Sequence, residues 1–145
     1  MAPLQKRALY SLGIGVVLAI ALIMVFILKG DVTAFDEDPG FRLIVYALWI
    51  GVPLVYLIIV NLTLRKPEQV DERDKLIMGR APRVQFLAVL FSLIAWVVVL
   101  TEVFRDQGQV PVIYLTLIMI SALIISTIAQ SAGILIGYWR MGRSG

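Results

Sequence analysis

Apolar residues of this chain fall into four long blocks, at about residues 8–28, 41–64, 84–104 and 111–138. A helix needs roughly 20 predominantly apolar residues to cross the hydrocarbon core of a bilayer, and each block supplies that length. Short polar stretches separate the blocks, so neighbouring helices would be antiparallel. The pattern predicts an all-α integral membrane protein with a single transmembrane domain over residues 1–145: a four-helix bundle of two helical hairpins.

The first block follows Lys6 and Arg7, and a basic start before an apolar run is also typical of a secretory signal peptide. The apolar region of a signal peptide is about 7–15 residues long. The block from Ala8 to Leu28 is longer than that, so it is predicted to be the first membrane-spanning helix.

The composition agrees with a membrane protein and limits the kinds of chemical site that the chain can form. Of the 145 residues, 60% are apolar and 16% are charged, whereas soluble domains have about half apolar and a quarter charged residues. The chain has no cysteine and no histidine, so it lacks a thiol nucleophile and the usual ligands of haem, zinc and copper. We therefore expect no metal, no cofactor, no enzymatic activity and no nucleic-acid partner.

The basic residues predict the orientation, because cytoplasmic loops of membrane proteins are enriched in lysine and arginine. The two termini and the stretch between blocks two and three hold ten of the 13 basic residues: Lys6, Arg7, Arg65, Lys66, Arg73, Lys75, Arg80, Arg83, Arg140 and Arg143. The two opposite loops hold only Lys29, Arg42 and Arg105. Both termini and the central stretch are therefore predicted to be cytoplasmic, in a multi-pass protein of the cell (inner) membrane.

Small residues recur at helical spacing in the first and fourth blocks. Ser11, Gly15 and Ala19 share one face of the first helix, and Gly133 and Gly137 form a GxxxG element in the fourth. Because small side chains let two helix backbones approach closely, we expect both faces to pack against neighbouring helices.

Few polar groups are predicted inside the membrane. Thr127, Gln130 and Ser131 lie close together on the fourth helix, and Gln130 is the strongly polar side chain expected at depth. Two roles are open for it: an interhelical hydrogen bond, which we favour, or part of a path for a solute. Glu102 lies near the outer end of the third helix, with Arg105 three residues on. We expect its carboxylate at the interface, hydrated or paired, rather than in ion coupling.

The central stretch, residues 65–83, contains the dense block of charge that also has a helical pattern. Asp71 suits the N-cap of a helix, and Glu72 suits the positive end of the helix dipole. The sequence predicts a short interfacial helix along the inner membrane surface, bending between Gly79 and Pro82 into the third membrane helix.

Charges of both signs are interleaved along this stretch, which favours ion pairs over simple attraction to lipid headgroups. We interpret the stretch as a cytoplasmic clasp between the two hairpins, paired either within the bundle or with another protein. The candidate clasp residues are Asp71, Glu72, Arg73, Asp74, Ile77 and Ala81.

Five of these residues also carry a resemblance. Asp71, Glu72, Arg73, Ile77 and Ala81 have the spacing Asp-Glu-Arg-x-x-x-Ile-x-x-x-Ala. In this the chain resembles a family of small uncharacterised predicted membrane proteins of bacteria and archaea, which carry that signature between their second and third helices. The family has no assigned activity, so the resemblance implies a fold and topology and no catalytic role.

Two functions are compatible with these features, and in both the lipid bilayer is the immediate partner. The first is a non-enzymatic regulatory, scaffolding or accessory protein that acts through helix packing and the charged linker, as a homo-oligomer or as a subunit of a larger membrane complex. The second is a small oligomeric transporter or channel for a small or amphipathic solute. We favour the first, because no carboxylate is predicted at mid-membrane to couple a solute to protons.

Overall fold

A computed structural model of the chain describes residues 3–29, 34–51, 53–54, 57–58 and 72–143. The described part of the chain is almost entirely helical and contains no strand, as the apolar blocks predict. Its helices are α1 (Pro3–Lys29), α2 (Ala34–Glu37), α3 (Pro39–Tyr46) with a π-helix directly after it (Ala47–Gly51), α4 (Glu72–Val103) and α5 (Ile113–Arg143).

Among the described residues, three helices are long and apolar enough to cross a membrane. The most apolar windows of α1, α4 and α5 have mean hydropathies of 2.9, 2.4 and 2.0. This confirms the all-α class and agrees with a membrane protein. The second predicted helix lies only partly within the described residues, so the four-helix bundle stays a prediction.

The start of α4 differs from the structure predicted by the sequence. A linker over residues 65–83 and a separate interfacial helix were expected there, but residues 72–103 form one helix with Pro82 inside it. An interior proline removes one backbone hydrogen bond. The turns before it stay in the helix because Ile77 and Ala81, each 2% exposed, are buried against neighbouring helices. Asp71, the expected N-cap, lies outside the described residues.

The residue directly before α3 caps that helix. Asp38 is the N-cap of α3, and its Oδ1 atom accepts a hydrogen bond of 2.8 Å from the backbone N–H of Gly40. Pro39 occupies the first turn, where its missing N–H costs nothing. Asp38 therefore stabilises the start of α3.

The long helices are arranged with α5 in contact with both α1 and α4. It runs antiparallel to each: Gly15 of α1 meets Ile128, while Ala8 belongs to the cluster that contains Ile134. Along α4, contacts pass from Ile77 with Gly137 to Phe104 with Tyr114. The beginnings of α1 and α4 and the end of α5 therefore share one end of the molecule, which we call the clasp end.

Two clusters of buried residues hold the helices together. The cluster at the clasp end joins α1, α4 and α5 through Ala8, Ile77, Ala81, Ile134 and Tyr138. The other cluster joins α1 and α5 to α2 and α3 through Leu18, Phe35, Phe41, Val45, Ile113, Ile120 and Ile124. In contrast, no residue of the most apolar window of α4 is buried. This helix therefore presents a long apolar surface outward.

Replacing Gly137 with valine should destabilise the protein. A methyl group at Gly137 would lie 3.0 Å from Cγ2 and 3.2 Å from Cγ1 of Ile77, and the β-branched, buried Ile77 has little room to move. Overpacking of this kind costs about 1–3 kcal/mol of unfolding free energy. Thermal denaturation in detergent micelles measures the loss.

Gly79→Val is the matched control, because Gly79 is also a helical glycine at the clasp end and has no neighbouring atom within 4 Å of the added methyl group. It should leave stability nearly unchanged. Equal losses for the two variants would show that Gly137 is not a contact point.

Candidate functional site at the clasp end

Three of the candidate residues form a stripe along α4. Arg73, Ile77 and Ala81 recur every four residues, which places them on one face of the helix. Two of them meet the glycines of the GxxxG element: Ile77 lies against Gly137, and the Cα of Ala81 would be 3.5 Å from a methyl group at Gly133. Because neither glycine has a side chain, the two helices can approach this closely.

Tyr138 lies beside the glycines and contacts two charged residues of α4, Arg73 and its neighbour Asp74. Its hydroxyl donates a hydrogen bond to Oδ1 of Asp74. Nη2 of Arg73 donates to the backbone carbonyl of Tyr138 at 3.2 Å, and Cζ of Arg73 lies 5.6 Å from the centre of the Tyr138 ring. The tyrosine is only 7% exposed, so the bond to Asp74 meets the need of a largely buried phenol for a hydrogen-bond partner.

We define the clasp by these contacting residues: Arg73, Asp74, Ile77 and Ala81 of α4, with Gly133, Gly137 and Tyr138 of α5. A guanidinium near the C-terminal end of α5 is also favoured by the helix dipole. The clasp therefore combines close apolar packing with two hydrogen bonds to one residue, Tyr138, and it fastens the start of α4 to the end of α5.

The other charged residues of this stretch are exposed where the structure describes them. Glu72 is exposed on the first turn of α4, and Asp71 lies outside the described residues. Lys75 and Arg80 are also exposed. Of the two pairings open at the sequence level, the structure uses Arg73 and Asp74 for contacts within the molecule.

Two further polar contacts join α4 to α5. Nε2 of Gln85 donates to Oγ of Ser126 at 2.6 Å, and Nε1 of Trp96 donates to Oγ of Ser121 at 2.8 Å. The sequence analysis did not single out Gln85. No local signal indicates it, because the match of Gln85 with Ser126 depends on how α4 and α5 pair.

The polar residues of α5 are placed differently from the expectation. Gln130 is exposed and forms no hydrogen bond with a described residue, so the favoured interhelical bond is not made among those residues. Thr127 and Ser131 donate to backbone carbonyls of their own helix, those of Leu123 at 2.9 Å and Thr127 at 2.8 Å. Gln85 and Trp96 donate hydrogen bonds from α4 to α5 instead, and Gln130 lies beside a gap between α1 and α4.

The small face of α1 packs on α5. A methyl group at Gly15 would lie 3.0 Å from Cγ1 of Ile128, Ser11 is 9% exposed, and Ala19 packs against the buried cluster that contains Leu18. Glu102 is exposed in the last turn of α4, at the end remote from the clasp.

Described residues of the helices line cavities at two places. A cavity of about 340 Å³ near the clasp end is bounded by α1, α4 and α5, and Arg7, Pro82 and Gln130 are among its lining residues. A smaller one of about 80 Å³ lies between α1, α5 and the segment around Pro53. Trp49 lines it, and its buried indole N–H has no partner among the described residues. Within the described ranges no group of acidic residues could hold a metal ion.

Comparison of the chain with protein-family models, with curated proteins and with solved structures found no match. The resemblance drawn from residues 71–81 therefore stays a prediction.

The bond between Asp74 and Tyr138 should appear as a coupling energy in a double-mutant cycle. We expect Asp74→Ala and Tyr138→Phe each to lower the unfolding free energy. Together they should cost less than the sum, by about 1.5–3 kcal/mol, since a hydrogen bond to a charged group contributes in that range. Unfolding in detergent micelles by titration with a denaturing detergent measures the cycle.

Asp106→Ala combined with Tyr138→Phe is the control cycle, because Asp106 is an exposed acid at the other end of the molecule. Its coupling should be zero within error. A cycle at Asp74 that is equally additive would contradict the bond.

Proposed function

We propose that this chain is a non-enzymatic, multi-pass protein of the cell (inner) membrane that acts as a regulatory, scaffolding or accessory subunit. The observation that carries the proposal is the clasp. Arg73 and Asp74, two of the candidate residues of the charged stretch, contact Tyr138 and fasten two helices together. Charged residues that make contacts within the molecule favour a structural role over a catalytic one.

The outward surface of α4 supports a scaffolding role. No residue in its most apolar window is buried, and large side chains such as Phe86, Phe91 and Val97 are each at least 65% exposed. A helix fastened at one end and uncovered along its length can pack on a second copy of the chain or on another membrane protein, using van der Waals contact between helices.

The positions of the basic residues support the orientation. Lys6 and Arg7 at the start of α1, Lys75 and Arg80 at the start of α4, and Arg140 at the end of α5 all lie at the clasp end. Because basic residues concentrate on the cytoplasmic side, we place the clasp end, and with it both termini, in the cytoplasm.

The alternative of a transporter or channel has less support. The hydroxyls of Thr127 and Ser131 are bonded within α5, and Glu102 is exposed at the end of α4. Coupled transport usually depends on ionisable groups inside the membrane. The described residues offer no carboxylate at mid-membrane.

The proposal predicts that the purified protein carries no flux. Reconstituted into liposomes that contain a pH-sensitive dye, it should leave proton entry and the entry of amphipathic cations equal to those of protein-free vesicles. Native mass spectrometry from mild detergent should show a defined homo-oligomer or a complex with a second membrane protein.

Glu102→Gln and Gln130→Leu are the diagnostic variants. A flux above background that either variant abolishes would overturn the accessory role in favour of transport. If the protein is purified from native membranes as a monomer with no other protein bound, the scaffolding role is wrong.

A further inference from the structure

The cavity at the clasp end is a polar groove at the level of the predicted membrane interface. Its lining includes Arg7 and Ser11 from α1, Met78 and Pro82 from α4, and Gln130 and Ser131 from α5. It exists because α1 and α4 both pack on α5 and leave a gap between themselves. Its volume of about 340 Å³ is enough for a small polar headgroup.

Two side chains of the groove have unused hydrogen-bond donors. Arg7 and Gln130 both line it, and neither makes a hydrogen bond or ion pair with a described residue. A guanidinium has five N–H donors and a primary amide has two. An amide without a partner is costly in a membrane, so this arrangement favours a ligand that brings acceptors.

The two donors differ in depth and in charge. Ala8, next to Arg7, packs in one cluster with Ile134 of α5, and Gln130 lies one turn before Ile134. Each residue of a helix advances about 1.5 Å along its axis. Because Arg7 lies one residue outside Ala8, Gln130 is five residues, or roughly 7.5 Å, deeper in the membrane than Arg7. The matching ligand has an anionic acceptor outside and a neutral acceptor further in.

A phospholipid has this arrangement, with its phosphodiester at the headgroup level and its acyl ester carbonyls below. A free phosphate is too small to reach both donors. The groove also offers an acceptor: Pro82 has no N–H, so the carbonyl of Met78 lacks its helical partner. A headgroup hydroxyl can donate to that carbonyl, which favours a glycerol headgroup.

We propose that the groove between α1, α4 and α5 binds one anionic phospholipid of the phosphatidylglycerol class. Arg7 binds the phosphodiester, the amide of Gln130 donates to an ester carbonyl, and the acyl chains follow the apolar surface of α1. Basic pockets between membrane helices bind anionic headgroups in the same way. The inference requires that the protein lies in a membrane and is independent of its role as an accessory subunit.

Native mass spectrometry of the detergent-purified full chain, titrated with phosphatidylglycerol or with phosphatidylcholine of the same acyl chains, tests the proposal. Wild type should prefer phosphatidylglycerol. Arg7→Gln should lower that affinity roughly tenfold, as loss of one charged hydrogen bond does, and should remove the preference. Gln130→Leu should weaken the binding of both lipids, because both carry ester carbonyls.

Arg80→Gln is the matched control, since Arg80 is an exposed cation at the same end and does not line the groove. It should leave both affinities unchanged. A loss as large as that of Arg7→Gln would show general surface attraction and overturn the site. Displacement of the lipid by an equal concentration of glycerol 3-phosphate would also overturn the proposal, in favour of a soluble phosphate ligand.

Discussion

The close approach of α4 and α5 at the clasp end is the constraint on which the described structure depends. It is possible because Gly133 and Gly137 have no side chains, and Ala81 and Ile77 fill the space they leave. This contact sets the register of the two helices. The same register brings Gln85 to Ser126 and Trp96 to Ser121 further along the pair. Small residues thus determine where the polar bonds between the helices can form.

The charges of the clasp act within this constraint. Once Ile77 is against Gly137, the next residue of α5 is Tyr138, and Arg73 and Asp74 lie within reach of it. A carboxylate and a guanidinium at the edge of a membrane are stabilised here by a phenol, a carbonyl and an aromatic ring. The contribution of these residues is to orient one helix against another, which gives Arg73 and Asp74 a structural role.

Much of this could be predicted from the sequence, and the limits have physical causes. The all-α class followed from the length of the apolar blocks, since the backbone hydrogen bonds of a membrane helix must be satisfied internally. The prediction for the start of α4 was wrong, because Pro82 and the charged residues before it are typical of an interfacial segment when they are considered without their neighbours in space. The packing of Ile77 and Ala81 on α5 is a long-range contact with no local signal. The surroundings of Gln130 have no local signal for the same reason, since they depend on where α1 and α4 lie.

Cross-linking tests the clasp most directly, because the chain has no cysteine. A Cβ at Gly137 would lie 3.6 Å from Cβ of Ile77, within the range that a disulfide requires. In native membranes, the double variant Ile77→Cys and Gly137→Cys should form an intramolecular disulfide on mild oxidation. It should link the peptides on either side of a cleavage between α4 and α5, while Leu76→Cys with Gly137→Cys should not. If the first pair failed to cross-link, or linked no better than the second, the charged stretch would not be fastened to α5 and the account would be wrong.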